Sequence, residues 1–165
     1  MGVTSATNGG ESFYVDAADG FRLFCSRGST ASREQIIFHN PNGDVGSIDT
    51  SGSATSYNTS SDHRLKEAVV DMTGAIARVK QLTPKRFNFI ADPDDTTVDG
   101  FLAHEAQAVV PEAVTGTHNE VDDDGNAVMQ GIDHGKLVPL LTAALKESIT
   151  KIEALEARVT ALEDA

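Results

Sequence analysis

From Lys136 to Ala165 the chain contains no glycine and a single proline, Pro139, and no other stretch limits the fold so tightly. A proline fits the first turn of a helix, where its missing N–H has no partner to lose. The pattern therefore predicts one helix over residues 136–165. Ile152, Leu155, Val159 and Leu162 fall at heptad positions a, d, a and d. Upstream, Leu145 and Ile149 are four apart and Ile149 and Ile152 three, so the spacing runs 4, 3, 3, 4, 3. The extra three is a stammer, which overwinds a coiled coil. An apolar seam along an otherwise charged helix needs a partner, and self-association follows from it. Ile and Val at a with Leu at d favour a parallel dimer by pattern alone, although so few heptads specify oligomer number loosely.

The other end of the chain reads differently. Residues 1–10 are small and polar, as in an arm that orders only against a neighbour. Phe13-Tyr14-Val15 and residues 21–25 flank a turn signal at 16–20, which predicts a hairpin. Residues 35–39 and 45–49 are two further strands around the turn at 40–44. Cys25, the only cysteine, permits no internal disulfide and reads as a small apolar strand residue. With so few large side chains, these strands should bury their apolar faces against other copies of the chain. Residues 50–60 are small and polar and predict an extended linker.

Between the halves lies Ser60-Ser61-Asp62-His63-Arg64-Leu65-Lys66. A hydroxyl at Ser61 and an amine at Lys66 are the parts of a nucleophile and base pair, in which a lysine made neutral by burial takes the serine proton. Asp62 and Arg64 suit an ion pair or cap that shapes the loop.

Beyond this junction the period becomes helical. Asp71 is the expected N-cap of a helix carrying Met72, Ile76, Val79 and Leu82, which Thr83-Pro84 ends. Residues 86–90 alternate like a strand, residues 100–103 form a strand or helix entry, and residues 104–110 form a short helix before Pro111. Residues 114–118 and 127–132 bracket Asp122-Asp123-Asp124-Gly125 as a second hairpin.

A net charge of -12 argues against nucleic acid and anionic membrane as partners, because both need a basic face. The start of the chain has neither a basic region nor an apolar run, and no stretch is long enough to span a bilayer, so no secretion signal and no membrane insertion are expected. His63, His104, His118 and His134 lack zinc-ligand spacing. The aspartates at 122–124 lack the alternating ligands of a calcium loop. No cofactor and no metal are expected.

Four stretches carry a resemblance. Residues 42–48 with 55–60 resemble a fibre segment. Ser61-Asp62-His63-Arg64-Leu65-Lys66 is similar to a Ser-Asp-x-Arg-Leu-Lys processing motif at every defined position. Residues 100–105 with Val110-Pro111-Glu112 resemble a central motif, with His104 where glutamine is usual. Residues 132–141 resemble the start of a final helix, with His134 in place of tyrosine. Together they resemble the C-terminal intramolecular chaperone domains of bacteriophage tail fibres and tailspikes, the auto-processing family typified by phage endosialidases.

The resemblance implies an α+β homotrimer. The resemblance covers roughly residues 40–165 and not residues 1–39. Residues 1–60 read as a β-rich fibre or attachment segment, and residues 61–165 would be a chaperone domain ending in a coiled-coil helix whose trimer seam includes Ile152, Leu155, Val159 and Leu162. It further implies a single-turnover serine endopeptidase cutting its own Ser60–Ser61 bond, with Ser61 as nucleophile and Lys66 as base. Asp62, Arg64 and Glu105 would support the motif, Glu105 by pairing with a base near the junction. The expected place is the phage tail, after synthesis in the host cytoplasm, with other tail or baseplate proteins and a host surface glycan or receptor as partners. The alternative is a structural trimeric virion component that keeps its domain. The brevity of residues 1–60 favours that alternative, and the intact motif favours cleavage. Phe13, Tyr14, Phe21 and Tyr57 lend thin support to a carbohydrate-binding adhesin.

Overall fold

The computed structural model describes residues 12–16 and 22–165, with side chains from Phe24 onward. The expected arm at 1–10 and most of the turn at 16–20 lie outside the described residues. The chain divides into two compact units, residues 1–69 and 70–165.

In the first unit, β1 (Ser12–Asp16) and β2 (Arg22–Ser26) pair antiparallel as the expected hairpin, and Cys25 lies half-buried in β2. Strands β3 (Arg33–Asn40), β4 (Gly43–Ser51) and β5 (Ala54–Thr59) form a second antiparallel sheet in that order. The linker expected at 50–60 is thus largely a strand. Every side chain of β5 is exposed, so no apolar alternation marks it. Its backbone is what pairs, in register from Ser51 opposite Ala54 to Gly46 opposite Thr59. Thr55, Tyr57 and Thr59 supply the β-branched and aromatic preference that suits such a ladder.

This sheet has little core in a single chain. Its buried residue is Ser47, while Ile37 and Phe38 are 48% and 52% exposed. Register breaks between Glu34 and Ile36 and between Phe38 and His39 interrupt the alternation that would send the apolar side chains to one face.

The second unit packs around Ala75, Val110, Ala113, Leu137, Leu140 and Ala144. Helix α1 (Ala75–Val79) is shorter than expected and does not begin at Asp71. Gly74 is its N-cap, at φ +68, a left-handed conformation that glycine adopts without strain and that ends the preceding extended chain. The free N–H groups of Ala75 and Ile76 donate to the Glu147 carboxylate at 2.8 and 3.1 Å. A side chain distant in sequence therefore does what a local Asp or Ser cap usually does.

Next come β6 (Lys85–Phe87) and β7 (Val98–Gly100), paired antiparallel, then α2 (Ala103–Gln107). The expected strand at 86–90 is trimmed at its far end, and Phe89 and Ile90 are exposed. The second hairpin forms as β8 (Val114–Thr115) with β9 (Gly131–Ile132), together with a bridge from Val121 to Ala127.

A 3₁₀ turn at His134–Leu137 leads into α3 (Val138–Glu163), 26 residues long with proline in its first turn, as expected. Leu140 and Ala144 are buried, whereas residues 149–163 are exposed throughout, about 22 Å of helix. No helix among the described residues is long and apolar enough to cross a membrane.

Candidate functional site

Ser60 stands at the end of the β4–β5 ladder. Its N–H donates to the Val45 carbonyl at 3.1 Å, and its hydroxyl donates to the Asp44 carbonyl at 2.9 Å. The chain then turns through a 3₁₀ helix at His63–Leu65, capped by Asp62. The Asp62 carboxylate accepts the Arg64 N–H at 2.8 Å and its guanidinium at both oxygens, Nε at 2.9 Å and Nη2 at 2.7 Å. These charge-assisted bonds, the guanidinium bond foremost, hold the Asp62 carboxyl below its usual range and raise Arg64 further. The Asp62 carboxylate thus makes both the expected ion pair and the expected cap.

The N–H of Lys66 donates to the His63 carbonyl at 3.1 Å and closes the turn. One helical turn between residues five apart carries the Lys66 side chain back over the start of the loop. Its Nζ lies 2.8 Å from Ser61 Oγ and 3.1 Å from Ser61 O. As an ammonium, Lys66 donates to both oxygens; as a neutral amine, its lone pair would take the hydroxyl proton. Burial is what favours the neutral form of a lysine, and in the single chain Ser61 and Lys66 are both exposed. His63, at the variable position, has a side chain 93% exposed and lies 3.5 Å from Asp62.

Glu105 is held within the second unit by Thr83, whose hydroxyl donates to it, and by Lys85 at 3.2 Å. The Thr83 bond and then Lys85 hold its carboxyl below the usual range. His104 stacks on His118 with ring centroids 4.2 Å apart, a pairing that sequence spacing does not reveal. The Asp122 oxygens are taken up by the turn, accepting the N–H groups of Asp124 at 3.0 Å and Asn126 at 2.8 Å.

Glu147 has no sequence signal of its own and is an important structural residue that the sequence leaves unmarked. Its bonds to Ala75 and then Ile76 hold its carboxyl below the usual range and tie α3 to α1.

A serine hydroxyl thus lies against a lysine amine in a loop that precedes, along the chain, an α+β unit ending in a long helix with exposed apolar side chains. Residues 61–115 match the family model described as chaperone of endosialidase, a match consistent with an intramolecular chaperone domain. The match begins at Ser61 and contains both the 61–66 and the 100–112 motifs; the likenesses at 42–60 and 132–141 lie beyond it. No curated protein matches the chain.

Proposed function

We propose that this chain is a phage tail-fibre protein whose residues 61–165 trimerise, hold three chains in register while they fold, and then cut the Ser60–Ser61 bond. The observation that carries this reading is the 2.8 Å approach of Lys66 Nζ to Ser61 Oγ in a loop braced by Asp62 and Arg64.

Ser61 Oγ attacks the Ser60 carbonyl carbon, and Lys66 in its neutral form takes the hydroxyl proton. The C–N bond breaks as that proton passes to the Ser61 nitrogen, leaving an ester between Ser60 and Ser61 Oγ. Water hydrolyses the ester to a Ser60 carboxylate and a free Ser61 hydroxyl and amine. Association of the chains would remove water from Lys66 and so favour the form that the step needs.

The need for a chaperone has a physical basis in the first unit. Its sheet leaves Ile37 and Phe38 half-bare, and non-local strand pairing between chains is slow and prone to register slips. A helical clamp raises the effective concentration of the three copies. The half-exposed seam at Ile152, Leu155 and Val159 suits that clamp, with Leu162 extending it. The virion, with other tail or baseplate proteins and a host receptor as neighbours, is the setting that this function entails.

Intact mass under denaturing conditions tests the reading, with Ser61→Ala alongside. Fragments 1–60 and 61–165 in the wild type, absent in the variant, are expected. A single uncut mass in both removes the peptidase and leaves a fibre component that retains its chaperone domain.

A further inference from the structure

The residue on the acyl side of the bond is held by the sheet of the first unit. Ser60 makes two hydrogen bonds, both to the beginning of β4: N–H to Val45 O at 3.1 Å and Oγ to Asp44 O at 2.9 Å. On the other side of the same peptide, Ser61 Oγ is held by Lys66 at 2.8 Å, and the loop is braced by Asp62 and Arg64. The two residues that flank the Ser60–Ser61 bond are therefore each held, Ser60 by the sheet and Ser61 by Lys66.

We propose that Ser60 is a positioning residue whose hydroxyl anchors it to β4 and so sets the direction in which its carbonyl is presented to Ser61, making the β4–β5 ladder part of the cleavage site. The inference rests on the cleavage reading above. Acyl transfer between neighbouring groups depends steeply on how the carbonyl is presented, and here the fibre-side sheet presents it. Cleavage then reports that β5 has docked in register, since a slip of β5 carries Ser60 away from Asp44 and Val45.

The sheet is built closely at this end. Gly46 lies opposite Thr59, and a Cβ on Gly46 would meet the Asn58 carbonyl oxygen at 2.7 Å. Backbone atoms cannot yield cheaply at that distance, so any side chain at position 46 pushes the end of β5, and Ser60 after it, off β4. Gly46 thereby acts on the bond through Ser60.

The test is the rate of cleavage of the full chain, followed by intact mass, for wild type, Ser60→Ala, Ser60→Thr and Gly46→Ala. Hydroxylamine in parallel aliquots traps the ester as a Ser60 hydroxamate, or its equivalent at residue 60 in the variants, and so separates ester formation from hydrolysis. Loss of one exposed hydrogen bond predicts that Ser60→Ala forms ester roughly three- to tenfold more slowly, with hydrolysis unchanged. Ser60→Thr, which keeps the hydroxyl, restores the rate. Gly46→Ala slows ester formation at least as much, and amide exchange shows whether the rest of β4 remains paired. A wild type that cuts while Ser60→Ala cuts equally fast overturns the anchor and leaves the peptidase standing. Equal slowing of Ser60→Ala and Ser60→Thr also overturns it, because the hydroxyl then does not matter. A wild type that does not cut overturns both proposals.

Discussion

Replacing Ile152 and Val159 by alanine tests the clamp directly, because alanine keeps the helix while removing the seam. In the single chain these side chains are 54% and 51% exposed, so about half of each remains to be covered by a partner. Full burial of such a side chain is worth about 1.5–3 kcal/mol, and half of that is about 1 kcal/mol each. In the proposed trimer, two residues on each of three chains would contribute about 6 kcal/mol, or roughly 10⁴-fold in the association constant. Because three chains combine, the midpoint concentration shifts by about the square root of that, roughly 100-fold. Sedimentation velocity over a dilution series reads this shift, with far-UV circular dichroism to verify that α3 still forms. The reasoning is refuted if the double variant associates at the wild-type midpoint. It is equally refuted if the wild type sediments as a single chain at every concentration.

Leu140 is 2% exposed at the centre of the second unit, so Leu140→Ala should cost about 2–5 kcal/mol by urea denaturation; Leu141→Ala, at a position 47% exposed, should cost far less in dilute protein. Glu147 has its carboxyl depressed below the ordinary 4.5 by the Ala75 and Ile76 N–H groups. Its contribution to stability is therefore full above pH 4.5 and is lost as the pH falls from there through the folded-state value. Glu147→Gln should lower the melting temperature at neutral pH and flatten its decline below pH 4.5. Lys66→Met should abolish formation of the 1–60 and 61–165 fragments without changing the circular dichroism spectrum; fragments at the wild-type rate would remove Lys66 as the base. Arg64→Lys, which replaces a two-point contact with Asp62 by a single one, should slow cleavage several-fold, and unchanged kinetics would show that the brace is idle.

The long helix and the Ser61 to Lys66 loop were legible because their signals are local. Helix periodicity, proline in the first turn of α3 and the Asp62 cap act over a few residues, and those residues are contiguous. Both hairpins also announced themselves, through aromatic or β-branched runs on either side of a turn. The strand β5 did not, since its six side chains are all exposed and its order comes from backbone bonds to β4. The start of α1 was misplaced at Asp71 for a related reason: the cap is supplied by Glu147, some seventy positions along the chain. Glu105 chose Lys85 and Thr83, partners that only the pairing of β6 with β7 and the placing of α2 bring within reach.

The sequence by itself determined that a Ser-Lys pair precedes an α+β unit with an apolar C-terminal helix, because patterning and short-range turns are encoded residue by residue. Only the tertiary structure decided that Lys66 reaches Ser61 at 2.8 Å, that Ser60 is tied to Asp44 and Val45, and that Glu147 caps a distant helix. Hydrogen bonds act over about 3 Å, and which groups come that close is set by how the whole chain packs.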